Sequence, residues 1–130
     1  MSLDVSPQLL AQAEAGDVDP AAFLDTVRAS LPYAYAMVAD LAQDLKSGTA
    51  EFADNQVPPP SEAERGQLLR ALASDAIRGS LERHFEIKLA FQNCHRVAAF
   101  RTGAESTQTY TKFTSQRAQL LNQSPAFRDC

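Results

Sequence analysis

The sequence has few cysteines, and their number limits how the chain can be held together. Among 130 residues there are only two, Cys94 and Cys130. Two thiols are too few for a disulfide scaffold or for a four-thiolate zinc site within one chain. The core must therefore be stabilised by burial of apolar side chains, and a hydrophobic content of 45% is an ordinary value for a globular domain.

Long hydrophobic runs are also missing. No apolar stretch approaches the roughly 18 residues that span a bilayer. Residues 1–4 show neither a basic region nor the start of the apolar region of a secretion signal. We therefore expect a cytoplasmic protein without a membrane partner, and the length predicts a single domain over residues 1–130.

The motifs that mark nucleotide, metal and hydrolase chemistry are absent from the sequence. It contains no G-x-x-x-x-G-K-[ST] loop, no G-x-G-x-x-G turn, no H-E-x-x-H pair and no G-x-S-x-G turn. The five scattered glycines cannot build a phosphate-binding loop. The sequence thus predicts no cofactor and favours a protein that is not an enzyme, although a Ser-His-Asp triad assembled from distant residues stays open.

Acidic and basic residues are unevenly distributed within the net charge of −4. Residues 1–60 carry nine acidic and two basic groups, a net charge of −7, whereas residues 61–130 carry seven acidic and ten basic groups, a net charge of +3. The chain divides into an acidic helical half (1–48), a proline-containing linker (49–60) and a basic half (61–130). The two halves either attract each other, within or between subunits, or are simply solvated.

The basic half does not have the pattern of a nucleic-acid-binding surface. Its predicted central helix carries Arg65, Arg70, Arg78 and Arg83, which point in several directions at about 100° per residue. Together with a pI near 5.1, this argues against a nucleic-acid partner. The excess of arginine over lysine, nine to three, is instead what a GC-rich bacterial genome would encode.

Proline and serine positions predict where the first helices begin. Ser6 and Asp19 each precede a proline and are expected to cap two successive helices. Val5 and Leu10 have the spacing of a hydrophobic staple across the first of these helix starts. Both features predict helices in the amino-terminal half.

A third helix is expected to begin at Pro32, with Ser30 as its cap, and the triple proline at 58–60 favours an extended linker. After the linker, Ser61 and Glu64 form an S-x-x-E capping box, which predicts a helix continuing to about residue 83.

After His84 the hydrophobic period changes from that of a helix to that of a strand. Apolar side chains recur at every second position from Phe85 to Phe91, residues 92–95 would turn the chain, and residues 97–100 would return. The competing interpretation is a helix that continues past Phe100. Residues 107–114 are a candidate third strand, and residues 117–122 a short final helix.

The predicted fold is therefore mainly α: a compact bundle of four to five helices with a β-hairpin or small sheet near residues 85–101. An all-α domain is the alternative. The core is expected to contain the following residues: Leu24, Val27, Val38, Leu41, Leu69, Leu72, Ile77, Phe85, Leu89 and Phe91.

One group of residues has the chemistry of a metal or thiol site. His84, Cys94 and His95 supply imidazole and thiolate groups, which are common zinc ligands, and Cys94 is the candidate reactive thiol. On a strand, Cys94 and His95 would point to opposite faces, so only a turn would bring them together. The alternative is that Cys94 is a small buried apolar residue and that the histidines lie at the rim.

The leading functional hypothesis is a non-catalytic interaction or regulatory protein that acts through a protein partner or as a homodimer. It depends on the missing catalytic motifs and on the charge asymmetry. An exposed hairpin edge would favour self-association at about twice 14.1 kDa. Two alternatives stay open: a metal- or thiol-dependent protein that uses Cys94, His95 and His84 on a small ligand, and a nucleic-acid or carrier-type accessory protein.

Overall fold

A computed structural model describes residues 2–92 and 96–121 of the chain. In chain order the helices are α1 (Pro7–Glu14), α2 (Pro20–Ser30), α3 (Pro32–Ser47), α4 (Glu62–Ala73), α5 (Asp75–Phe85), α6 (Gln108–Phe113) and α7 (Gln116–Leu121). The strands are β1 (Phe52–Asp54), β2 (Ile87–Gln92) and β3 (Arg96–Arg101), and a 3₁₀ helix covers Ala104–Ser106. The prediction of a mainly α fold with a small sheet is confirmed. Within these described residues, the helices are all too short or too polar to cross a bilayer.

The first helix begins where its cap predicts. Ser6 Oγ accepts a hydrogen bond from the Leu9 amide at 3.1 Å, and a proline occupies the first helical position. Asp19 precedes α2 at the predicted position, but its side chain makes no capping hydrogen bond. The Asp19 amide instead donates to Gln12 Oε1 at 2.9 Å, which ties the end of α1 to the start of α2.

Helix α3 is capped by a side chain from another helix. It begins at Pro32 as predicted, but the residue before it is Leu31, which cannot act as a cap. Gln67 Oε1 of α4 accepts hydrogen bonds from the Tyr33 amide at 2.7 Å and the Ala34 amide at 3.3 Å. The expectation that Ser30 caps α3 is therefore wrong: its hydroxyl accepts from the Asp4 amide, at 2.8 Å.

The single helix predicted from residue 61 to about residue 83 is two helices. Ser61 Oγ accepts from the Glu64 amide at 3.2 Å, so the predicted capping residue is correct. Ser74 then has extended backbone angles, and its hydroxyl accepts from the Ile77 amide at 3.3 Å to begin α5. A serine that hydrogen-bonds the backbone three residues ahead favours a helix start over a helix interior, which explains the break.

The predicted hairpin is present. Strands β2 and β3 pair antiparallel, with Leu89 opposite Ala99 and Gln92 opposite Arg96. The competing continuous helix is wrong, because α5 ends at Phe85 and Glu86 takes a left-handed conformation with φ of 56°. Phe85 therefore belongs to the helix, and the strand starts two residues later than the alternation suggested.

The third strand lies where the linker was predicted. Residues 52–54 form β1, which pairs antiparallel with β3 and gives the sheet order β1-β3-β2. The expectation of a strand at 107–114 is wrong, because Thr107 Oγ1 accepts from the Tyr110 amide at 3.2 Å and begins α6. Pro59 of the triple proline is buried, so this segment packs against the protein.

The sheet separates two apolar clusters. Its first face packs on α3, α4 and α5, against which α2 packs in turn, and Val27, Leu31, Val38, Leu68 and Leu72 belong to the main core that these elements form. A smaller cluster lies on its second face, beneath α6, and consists of Ala90, Ala98, Phe100, Ala104 and Phe113, with Phe52 and Tyr110 packed against them.

Most of the predicted core residues lie in the main core. Val27, Val38, Leu41, Leu72, Ile77 and Leu89 are buried in it, and Leu24, Phe85 and Phe91 pack against it while partly exposed. Leu69 is the exception, with 37% of its surface exposed. It follows Leu68 in α4, and only Leu68 faces the core.

Candidate functional site

Four residues at one end of the sheet form a connected polar group, which we call the turn-end cluster: Asp54, Gln92, Arg96 and Phe113. Arg96 donates from Nε and Nη2 to Asp54 Oδ2, at 2.8 and 2.6 Å. Arg96 Nη1 lies 3.3 Å from Gln92 Oε1, and Gln92 Nε2 donates to the carbonyl oxygen of Phe113 at 2.6 Å. The cluster therefore connects all three strands to α6.

The environment of Asp54 indicates a structural role for this cluster. The Asp54 side chain is 8% exposed, and a buried carboxylate is tolerated only when it is paired and hydrogen-bonded. Arg96 supplies the pairing, and Gln56 Nε2 donates to the second carboxylate oxygen at 2.5 Å. The Arg96 guanidinium also lies 5.5 Å from the centroid of the Phe113 ring. We interpret the cluster as a structural one that holds the ends of the three strands together.

Three of the residues that the sequence singled out lie outside the described residues: Cys94, His95 and Cys130. His84 is described. It is exposed in the last turn of α5, and its ring contacts Phe85 edge-on with the centroids 4.7 Å apart. The residues that flank 93–95, Gln92 and Arg96, lie at the far end of the hairpin, since β2 spans about 17 Å. A metal or thiol site at Cys94 stays a prediction.

The opposite end of the hairpin carries an open groove of about 660 Å³, which we call the hairpin-base groove. It is lined by Glu82, Arg83, Glu86, Ile87, Lys88, Thr102, Gly103 and Glu105. Lys88 Nζ lies 3.7 Å from Glu82 and 3.9 Å from Glu105, distances of ion pairs rather than of direct hydrogen bonds. Within residues 2–92 and 96–121, no group of three metal-ligating side chains comes together here or elsewhere.

The amino-terminal helices carry a third feature, which we call the acidic surface. It consists of seven exposed carboxylates in residues 2–48: Asp4, Glu14, Asp17, Asp19, Asp25, Asp40 and Asp44. Residues 2–48 contain only two cations, Arg28 and Lys46, so their net charge is −5. In the part of the chain that the structure describes, all five ion pairs lie between residues 54 and 105, so none involves the acidic surface.

These ion pairs bear on the predicted attraction between the two halves of the chain. Four of them join residues within the basic half, for example Arg78 with Asp75 and Arg65 with Glu62. Among the described residues, only the pair of Arg96 and Asp54 leaves the basic half, and Asp54 lies in the segment 49–60 rather than in the acidic half. The acidic surface is therefore directed to solvent rather than to the basic half.

Exposed apolar side chains lie among these carboxylates. Helix α1 buries only Leu9, whereas Leu10 is 52% exposed. Val5 and Val18, which flank the helix, are 45% and 39% exposed. The sequence spacing of Val5 and Leu10 is that of a hydrophobic staple, but it did not indicate that both side chains remain about half exposed. Three aliphatic side chains thus lie exposed among the carboxylates of the acidic surface.

The fold and these surfaces define a small, mainly helical domain in which a three-stranded antiparallel sheet is enclosed between a helical layer and α6. The chain belongs to the family described as "NucS shadow ORF", whose model matches residues 1–130. No curated protein and no solved structure matches the chain.

Proposed function

We propose that this protein is a cytoplasmic, non-catalytic interaction protein that binds a protein partner through α1 and the acidic surface around it. The observation that carries the proposal is the position of α1, in which Leu9 is the one buried side chain and Leu10 is presented to solvent. The partner surface would combine an apolar depression for Leu10 with a surrounding ring of lysine or arginine.

The physical argument has two parts. Removing the exposed side chains of Val5, Leu10 and Val18 from water would contribute about 25 cal/mol for each Å² buried, part of which offsets the entropy lost on association. The carboxylates would increase the association rate and select the orientation, because charge complementarity acts mainly on encounter and specificity. The apolar contact thus supplies the affinity, and the charge selects the partner.

Site-specific photocrosslinking in the cell tests this proposal. A photoreactive residue placed at Leu10 should give a discrete adduct heavier than 14.1 kDa. The matched control is Leu120, whose side chain is 60% exposed at the other end of the chain, in α7. An adduct of twice the chain mass from position 10 would identify the partner as a second copy, the predicted homodimer.

Neutralising the charge provides the second arm of the test. The triple variant Glu14→Gln/Asp17→Asn/Asp19→Asn should reduce the adduct from position 10 by at least about tenfold. Glu62→Gln with Asp75→Asn removes exposed carboxylates from the basic half and should leave the adduct unchanged. The proposal is wrong if position 10 gives no discrete adduct, if position 120 gives the same one, or if both sets of variants act equally.

The family description names a reading frame and no activity. The first measurement is therefore whether the cell makes this protein. Tryptic peptides covering residues 29–46 and 47–65 follow from the positions of Arg28, Lys46 and Arg65. Both should be detected by mass spectrometry in extracts of the native cells. Their absence under all growth conditions would remove the basis for any cellular function.

A further inference from the structure

Strand β2 lies at an edge of the sheet, and the direction of its backbone groups can be determined. The sheet order is β1-β3-β2, so only one side of β2 is paired. The Leu89 amide donates to Glu82 Oε2 at 2.8 Å instead of to β3. Because alternate residues of a strand direct their amides to the same side, those of Ile87 and Phe91 also point away from β3.

Pairing on the other side of the sheet agrees with this assignment. Leu89 lies opposite Ala99, and Phe91 lies opposite Val97. The Val97 amide donates to Asn55 Oδ1 at 2.8 Å, and the Val97 carbonyl accepts from the Asn55 amide at 3.2 Å, both next to β1. The backbone amide and carbonyl of Val97 thus point towards β1. Those of its partner Phe91 point away from β3, to the outer edge of the sheet.

Glu82 occupies the middle of this outer edge. Its side chain is only 17% exposed, and its carboxylate accepts the Leu89 amide while Lys88 Nζ lies 3.7 Å away. The left-handed turn at Glu86 folds α5 back along β2 and places Glu82 there. A charged side chain placed at the edge of a sheet is a recognised means of preventing pairing with another strand, and here Glu82 reaches the edge from α5.

We propose that the outer edge of β2 is a self-association surface for a second copy of this chain, and that Glu82 keeps it closed. Closure consists of occupying the Leu89 amide, which a second strand would need for pairing. Removing the Glu82 side chain, and with it the acceptor for the Leu89 amide, opens the edge, and two copies then join their sheets into one of six strands.

The sequence of β2 is self-complementary in this arrangement. In an antiparallel pair with Leu89 opposite its own copy, Ile87 lies opposite Phe91 of the second copy, and Lys88 lies opposite Ala90. The first pairing joins a β-branched and an aromatic side chain, which is a favourable cross-strand contact, and the second avoids a clash of like charges. The outward amides and carbonyls of residues 87, 89 and 91 would all find partners.

Light scattering of purified variants tests the proposal. Glu82→Ala should double the mass of the particle relative to the wild-type protein. Glu86→Ala removes the same charge from an exposed neighbour and should leave the mass unchanged. Glu82→Gln keeps an acceptor oxygen for the Leu89 amide and should also have the wild-type mass.

Two outcomes would overturn the proposal. One is a folded Glu82→Ala protein, by circular dichroism, with the wild-type mass; the other is a doubled mass for Glu82→Gln or Glu86→Ala. Hydrogen exchange on the wild-type protein keeps the proposal testable if Glu82→Ala does not fold. The Leu89 amide should then exchange at least about tenfold more slowly than the Phe91 amide, and equal protection would show that something else covers the edge.

Discussion

At the scale of single residues, the start of α3 shows how the fold changes the chemistry of one side chain. Gln67 holds the amide of Tyr33, and the Tyr33 side chain lies partly buried near Glu64. Burial raises the pKa of Tyr33 above its ordinary value of 10.0, and the Glu64 carboxylate raises the pKa further. Both effects disfavour the phenolate, because it would be a poorly hydrated charge beside another negative charge.

This pKa shift predicts a loss of stability in alkaline solution. The folded protein holds the Tyr33 proton more tightly than the unfolded chain does, so the free energy of unfolding falls as the pH rises through the raised pKa. The wild-type protein should therefore lose more stability than Tyr33→Phe between about pH 9 and about pH 11. Urea titrations at several pH values measure the difference, and parallel curves for the two proteins would contradict the assignment.

Residue-scale features differ in how well the sequence reveals them. The caps Ser6, Ser61 and Thr107 each bond to an amide three residues ahead, so they depend on a local motif. Only the first two were predicted. Gln67, which caps α3, is 34 residues from Tyr33 in the sequence, and no local pattern indicates such a contact.

At the scale of elements, one arginine joins the end of β3 to the end of α3. Arg101 Nη2 donates to the carbonyl oxygens of Leu45 at 3.0 Å, Gly48 at 3.1 Å and Ala50 at 3.3 Å. The last carbonyl groups of a helix have no partner within the helix, and the helix dipole makes this end negative. A guanidinium therefore satisfies these acceptors and is attracted to the same end.

Replacing this arginine should destabilise the protein. In Arg101→Lys the shorter and less branched head group cannot reach the same three oxygens, and we expect a loss of about 1–2 kcal/mol. Arg117→Lys, at an exposed arginine of α7, is the matched control and should change stability by less than about 0.5 kcal/mol. Denaturant unfolding measures both values, and equal effects would show that the contact at α3 contributes little.

The sheet illustrates which elements a sequence can predict. Strands β2 and β3 have six residues each, and in β2 the large apolar side chains recur at every second position, which is recognisable in the sequence although both faces of the sheet are largely buried. Strand β1 has three residues, all of intermediate burial, and carries no periodic signal. It forms because β3 offers unpaired backbone groups along one edge, and β3 is distant from β1 in the sequence.

At the scale of the whole molecule, one core connects the two halves of the chain. Val27, Leu31 and Val38 from the acidic half pack with Leu68 and Leu72 from the basic half. Elements that share a core lose their stability together when that core opens. This arrangement favours a single folding unit.

We therefore predict a single cooperative unfolding transition. Helix content followed by far-ultraviolet circular dichroism and tyrosine environment followed by fluorescence should give the same midpoint in urea. The tyrosines report on both parts, because Tyr33 and Tyr35 lie in α3 and Tyr110 lies in α6. Two separate midpoints would mean that the halves on either side of residues 49–60 fold independently.

The sequence by itself determined the positions of most helix starts, the hairpin and the apolar residues of the core. These follow from interactions within a few residues, such as a cap and its amide, or from periodicity along one element. The tertiary structure decided the break at Ser74, the third strand and the partners of Gln67, Arg96 and Arg101. It also decided that α1 buries only Leu9 and that Glu82 reaches the edge of β2. Each of these depends on contacts between residues that are far apart in the sequence and that only folding brings together. The number of residues between two positions does not determine their distance in the folded protein.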